Sequence, residues 1–264
     1  MVDQQEIDYF SKHGSVILRG YFTDWVDTLR NGVDKLMLNP SPRERSYNPK
    51  DGSAPFFQDL CNWQRIGEFR DFIFNSRAGE MASNLMRSNT SRFFHDHVLV
   101  KEPGSSIVTP WHQDQPYYCT NGSQTVSFWI PLDSISLDTT LNCISGSHIW
   151  GKLHKPKRFD GTDLFDNDDT EEVPEIDKNR DNYEILSWAM EPGDAVAFHF
   201  RTLHGAAANK GRISRRRVFS ARWVGDDAIF VDRKGKGSPP FDHLTLNDGD
   251  RLTGEDFPII YSVK

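Results

Sequence analysis

His112 and Asp114 stand two residues apart in the run Thr109-Pro110-Trp111-His112-Gln113-Asp114. On a strand, residues i and i+2 project from the same face, so an imidazole and a carboxylate would leave the end of this segment together. Such a pair is two-thirds of a two-histidine, one-carboxylate facial triad, the set that holds ferrous iron and leaves coordination positions free on one side. The third ligand has to come from elsewhere. Late in the chain, Pro192-Gly193-Asp194 forms a turn signal that feeds an apolar run containing His199 and closing on His204-Gly205. His199 competes for the ligand role, although it also reads as a core or cross-strand histidine. Beyond it, Arg215-Arg216-Arg217-Val218-Phe219-Ser220-Ala221-Arg222-Trp223 opens with Arg215, eleven residues after His204. A planar guanidinium grips a carboxylate through two parallel hydrogen bonds, and an antiparallel neighbouring strand would return such an arginine to the metal. Arg216 and Arg217 equally suit a strand end that faces water.

The elements that must position these groups fall into two regimes. Apolar spacing predicts helices over 3–12, 23–38 and 64–88, a strand over 15–20, and a proline-rich loop over 39–59. From residue 92 the period becomes two, with strands expected near 93–101, 106–112, 124–132, 184–190, 194–201 and 215–224. By parity Asp96, Val98 and Val100 share one face of the first of these. Were that face inward, Asp96 would meet a polar or cationic group on a substrate. Ten acidic residues between 160 and 181, against Lys178 and Arg180, mark a solvated insertion. The Gly-, Pro- and Asp-rich stretch from Asp232 to Pro258 reads as an ordered loop or a lid. The expected organisation is one domain over 1–264. A mostly helical support fills 1–91, a β-rich core fills 92–230 with an insertion at 156–183, and a C-terminal loop or lid fills 231–264.

A chain of 264 residues, 37% hydrophobic and 26% charged, is a normal globular composition. The net charge of −7 is without a dominant basic patch and argues against a nucleic-acid partner. Cys61, Cys119 and Cys143 are odd in number and form no CxxC pair, so neither a disulfide framework nor a zinc site is expected. No basic leader with an apolar core and no apolar run of about 18 residues is visible, which leads to the expectation of a cytoplasmic protein without membrane contact.

Taken in order, several segments resemble the phytanoyl-CoA dioxygenase-like family of Fe(II)- and 2-oxoglutarate-dependent oxygenases. They are Tyr9 through Gly20, Val98-Leu99-Val100-Lys101-Glu102-Pro103-Gly104, the His-x-Asp run, Ser127-Phe128-Trp129-Ile130-Pro131-Leu132-Asp133, Ile144-Ser145-Gly146-Ser147-His148, and His204-Gly205 with Arg215. The step of eleven to Arg215 selects His204 over His199. The resemblance implies a mainly β fold with flanking helices, a double-stranded β-helix of the jelly-roll, cupin-like kind. It implies His112, Asp114 and His204 as Fe(II) ligands, Arg215 on the far carboxylate of 2-oxoglutarate, and Trp129 in the co-substrate pocket. Trp111 and Gln113, beside the ligands, are further candidates for orienting them or for meeting substrate.

With 2-oxoglutarate and dioxygen as co-substrates, the implied reaction is hydroxylation of an unactivated C–H on a small molecule, releasing succinate and carbon dioxide. Desaturation, cyclisation or epimerisation would use the same oxidant. Halogenation is not expected, because halogenating relatives lack the carboxylate that Asp114 supplies. A cupin-type metal enzyme independent of 2-oxoglutarate and a non-catalytic binding protein are the readings from other classes; Arg215 discriminates against the first, and the intact triad argues against the second. A homodimer is compatible with the sequence.

Overall fold

The computed structural model describes residues 1–157, 162–164, 170–211, 214–233 and 237–263. Parts of the acidic insertion therefore lie outside the described residues. Four helices precede most of the strands: α1 (Gln4–His13), α2 (Val26–Leu38), α3 (Gly67–Asn75) and α4 (Ala78–Met86). Asp3 and Glu6 form a reciprocal capping box at the start of α1, and Gly14, with φ 76°, takes the left-handed turn that ends it. The single helix expected over 64–88 is two, because Ser76 adopts an extended conformation between α3 and α4.

The strands are β1 (Ser15–Leu18), β2 (Phe56–Leu60), β3 (Thr90–Lys101), β4 (Thr109–His112), β5 (Thr120–Asn121), β6 (Thr125–Pro131), β7 (Leu141–Ile144), β8 (Ile185–Ser187), β9 (Ala195–Phe198), β10 (His204–Ala206), β11 (Arg216–Val224), β12 (Ile229–Phe230) and β13 (Ile259–Ser262). A major antiparallel sheet runs β1-β9-β6-β11-β3-β13, with β2 also paired to β3. A minor sheet runs β4-β10-β7-β8. Two facing antiparallel sheets with strands crossing between them are the jelly-roll arrangement.

Burial divides the two faces of the major sheet. Leu29, Val33, Leu36, Phe69, Phe72 and Met81 of the helices pack in one cluster with Val98, Val100, Phe219 and Ala221. Each such side chain contributes about 1.5–3 kcal/mol of transfer free energy. In the second half of β3, from Asp96 on, the even-numbered residues therefore face the helices, a bulge having shifted the parity after Phe93. Its odd-numbered residues His97, Leu99 and Lys101 face a cavity lined from both sheets. β2 was hidden by the proline-rich run before it, yet Phe56–Leu60 pairs residue for residue with Lys101–His97. The C-terminal segment is not a free lid. Phe241, Leu244, Leu246, Leu252 and Phe257 pack with Phe94, Tyr118 and Phe200, and β13 pairs with β3.

Candidate active site

Strand pairing builds the metal centre. β10 lies beside β4 with His204 directly opposite His112, and the two rings sit 4.2 Å apart. Asp114 lies beyond the end of β4, in a helical backbone conformation that opens a short 3-10 turn. Its N–H donates to Phe200 O at 2.8 Å. Strand parity alone therefore does not aim it; the turn does. One atom from each of His112, Asp114 and His204 lies within 4.8 Å of the others.

The donor set fits a divalent ion. His112 Nδ1 lies 2.8 Å from Pro110 O and His204 Nδ1 lies 2.9 Å from Thr202 O. Carbonyls accept only, so each Nδ1 carries the proton and each Nε2 presents a lone pair. Both Nε2 atoms face the same carboxylate oxygen, Asp114 Oδ1, at 3.7 and 3.8 Å. The other oxygen, Oδ2, is held by Ser127 Oγ at 3.3 Å and by Arg222 Nε at 3.4 Å. Arg222 is buried on β11 and donates in turn to the Tyr118 hydroxyl.

Electrostatics keep these groups in ligand form. Burial pushes the His204 imidazole down to about 3, with His112 adding to the effect. Burial also lowers His112, against the opposing pull of Asp114. For Asp114 burial alone would raise the carboxyl, but the charge of Arg222, foremost among its neighbours, outweighs it and holds the group below the usual carboxylate range. The centre is thus neutral imidazole, carboxylate, neutral imidazole. Gly205 lets β10 approach closely here, since a Cβ on it would lie 3.1 Å from Thr109 O and 3.3 Å from the Trp111 ring.

The triad opens into a cavity of about 860 Å³. Three consecutive arginines next to it point three ways. Arg215 lies outside, paired with Glu102 at 2.8 Å with 40% of its side chain exposed. Arg217 grips Asp133 through Nη2 at 2.8 Å and Nε at 3.1 Å. Arg216, the first residue of β11, is buried and lines the cavity. Arg215, the residue expected from sequence, is therefore not in the cavity wall; the guanidinium that is stands twelve residues after His204. Arg216 donates to Thr139 O and, at 3.1 Å, to Ala207 O.

Lys101, opposite Arg216 across β3 and β11, donates to the same Ala207 O at 3.2 Å and to Thr109 Oγ1 at 3.1 Å. Among the described residues neither of these buried basic side chains has a carboxylate partner. Burial, with Arg216 second, pushes the Lys101 amine down to about 6.

The remaining expected residues separate clearly. Trp129 is buried in the cavity wall. Trp111 lines the mouth and donates from Nε1 to Asp177 at 3.1 Å, which fastens the described part of the acidic insertion over the cavity. Gln113 points away from the cavity. It donates to Arg201 O at 2.8 Å and Lys152 O at 3.2 Å and accepts from His154 N at 3.0 Å, tying the ligand turn to two loops. Asp96 faces the helices instead of a substrate, and its carboxylate accepts the N–H groups of Asn62 and Trp63 at 2.8–3.0 Å. Lys101, Arg222, Ser127 and His97 were not singled out from sequence, although the polar odd positions of β3 were a signal for two of them.

Comparison with known proteins gives the family and the fold. The family model described as phytanoyl-CoA dioxygenase (PhyH) matches residues 10–217. The curated dioxygenase cdmD of Talaromyces verruculosus is 24% identical over 247 residues, covering 80% of this chain and 70% of that protein. The non-heme α-ketoglutarate-dependent carbocyclase SnoK from nogalamycin biosynthesis superposes with a TM-score of 0.77 at 20% identity, over 98% of this chain and 96% of that one. The epimerase SnoN, solved with Fe3+, α-ketoglutarate and nogalamycin RO, superposes with a TM-score of 0.73 at 20% identity, over 97% and 98% of the two chains.

Proposed function

The chain belongs to the phytanoyl-CoA dioxygenase family of 2-oxoglutarate-dependent oxygenases, and from that premise we propose that it hydroxylates an unactivated C–H of a small molecule at an iron held by His112, Asp114 and His204. The carrying observation is one cavity with a convergent triad at one place and two buried basic side chains without carboxylate partners at another. A diacid suits both. Its keto-acid end belongs at the metal, and its far carboxylate belongs between Arg216 and Lys101, with Trp129 in the adjoining wall.

When bound, ferrous iron supplies dioxygen activation coupled to oxidative decarboxylation of 2-oxoglutarate, with one oxygen atom going to succinate and the other to the hydroxyl. The protein's part is placement. Pro110 O and Thr202 O fix the imidazole orientations, while Ser127 and Arg222 keep Asp114 Oδ2 occupied, which would leave Oδ1 to hold a metal. Arg216 and Lys101 orient the co-substrate. Trp111 and the segment 173–180 wall the cavity from solvent.

Anaerobic addition of Fe(II) and then 2-oxoglutarate should give a weak visible charge-transfer band, absent in His112→Ala. A succinate-release screen over a compound library then finds the substrate. Failure of the band would favour a cupin-type enzyme independent of 2-oxoglutarate. The product's composition separates the outcomes: one oxygen gained for hydroxylation, two hydrogens lost for desaturation or cyclisation, and no change for epimerisation. SnoK and SnoN, named as carbocyclase and epimerase, support testing the last two.

A further inference from the structure

His97 stands on the inner face of β3, in the wall of the cavity, flanked by Leu99 on its own strand and opposite Leu60 of β2 and Ser220 of β11. Its Nε2 is buried and has no hydrogen-bond partner, and the neighbouring Ser220 Oγ is in the same condition. An unpartnered buried donor or acceptor is costly, whereas an apolar side chain of similar shape would carry no such penalty. Burial, followed by the charge of Arg222, keeps the imidazole neutral, so it offers one donor and one acceptor.

Apart from Arg216 and Lys101, assigned above to the diacid, the charged groups around the cavity are already engaged. Lys157 pairs with Glu172, Lys178 with Glu175, and Arg180 with Asp177 at 2.6, 2.6 and 3.1 Å. Lys155 reaches Glu172 at 3.5 Å. Arg45, exposed at the rim, donates to carbonyls of its own loop. No described cluster of free cations awaits a phosphate, and no free carboxylate awaits an ammonium. The cavity, at about 860 Å³, lies toward the upper end of the roughly 300–1,000 Å³ that encloses drug-sized ligands. A five-carbon diacid fills only a minor part of it.

We propose that the primary substrate is an uncharged, mainly apolar molecule bearing hydroxyl or carbonyl oxygens, and that His97 is the residue that hydrogen-bonds one of those oxygens and thereby orients the substrate beside the metal centre. This rests on the oxygenase reading above. It excludes acyl-CoA thioesters and free amino acids as substrates.

The test is direct binding, by calorimetry, to protein loaded with Zn(II) and 2-oxoglutarate, which cannot turn over. Testosterone and geranylgeraniol serve as uncharged oxygenated probes, with oleoyl-CoA and L-proline as charged ones. The uncharged probes should bind the wild type and the charged ones should not. His97→Leu should weaken the uncharged probes about tenfold, and His97→Gln should restore most of that. The charge-transfer band with Fe(II) and 2-oxoglutarate should be the same in all three proteins. Preferential binding of the charged probes, failure of both uncharged probes, or equal affinity in His97→Leu would overturn the proposal. Absence of the band in the wild type would overturn the oxygenase reading instead, and it is seen separately.

Discussion

Replacing Arg216 with Met should weaken 2-oxoglutarate far more than replacing Arg215. Arg216 is buried in the cavity, opposite Lys101, and its donors are met only by the carbonyls of Thr139 and Ala207. A carboxylate arriving there gains charge-assisted hydrogen bonds from a guanidinium already held in place. Losing them, with Lys101 still present, costs about 2–3 kcal/mol, or roughly 30- to 150-fold in Kd. Arg215 is 40% exposed and paired with Glu102, which is 22% exposed. Breaking that pair costs about 0.2–1 kcal/mol of stability and leaves 2-oxoglutarate affinity within about twofold, since no cavity contact is lost. Stability should move the opposite way. Arg216 is a buried charge without an anionic partner, so Met should leave the thermal midpoint unchanged or higher. Anaerobic titration of the Fe(II) protein, following the charge-transfer band, gives the affinities, and calorimetric melting gives the midpoints. A large loss in Arg215→Met with a small one in Arg216→Met would refute the assignment.

Three further outcomes follow from the same contacts. Lys101 is pushed down to about 6 in the free protein, and a bound carboxylate would raise it. Binding must then take up a proton above pH 6, and affinity should fall by up to about tenfold per pH unit as pH rises. A flat profile, or one unchanged in Lys101→Met, would contradict this. Arg222→Gln removes the cation on Asp114 Oδ2, and Co(II) titration should show metal affinity about 10- to 100-fold weaker. An unchanged affinity would mean Ser127 alone suffices. Asp96→Ala strands the N–H groups of Asn62 and Trp63, and urea unfolding should show a loss of about 2–3 kcal/mol with no change in 2-oxoglutarate affinity. A specific loss of co-substrate binding instead would return Asp96 to the cavity.

The metal centre was legible because its signal is local. His112 and Asp114 sit within three residues, and the pairing of His204 with His112 needs only that two strands meet. That Arg216 and not Arg215 enters the cavity was not legible, for a reason of the same kind. Counting eleven from His204 leaves β10 and stops one residue short of β11, where strand parity does not fix which side chain turns inward. Once β11 begins, parity decides: Arg216, Val218 and Arg222 share the cavity, while Arg217 reaches Asp133 outside. For β3 the grouping of Asp96, Val98 and Val100 was right and the face was wrong. The usual rule sends the apolar face inward, and here it does so toward the helices, where Val98 and Val100 join the core. The more polar face, with His97 and Lys101, lines the cavity on the other side of the same sheet. In a sheet with helices on one face and a binding cavity on the other, both faces are interior. The polar one then marks the site, so buried Lys101, Arg216 and Arg222, which composition alone would place at the surface, are the residues to read as function.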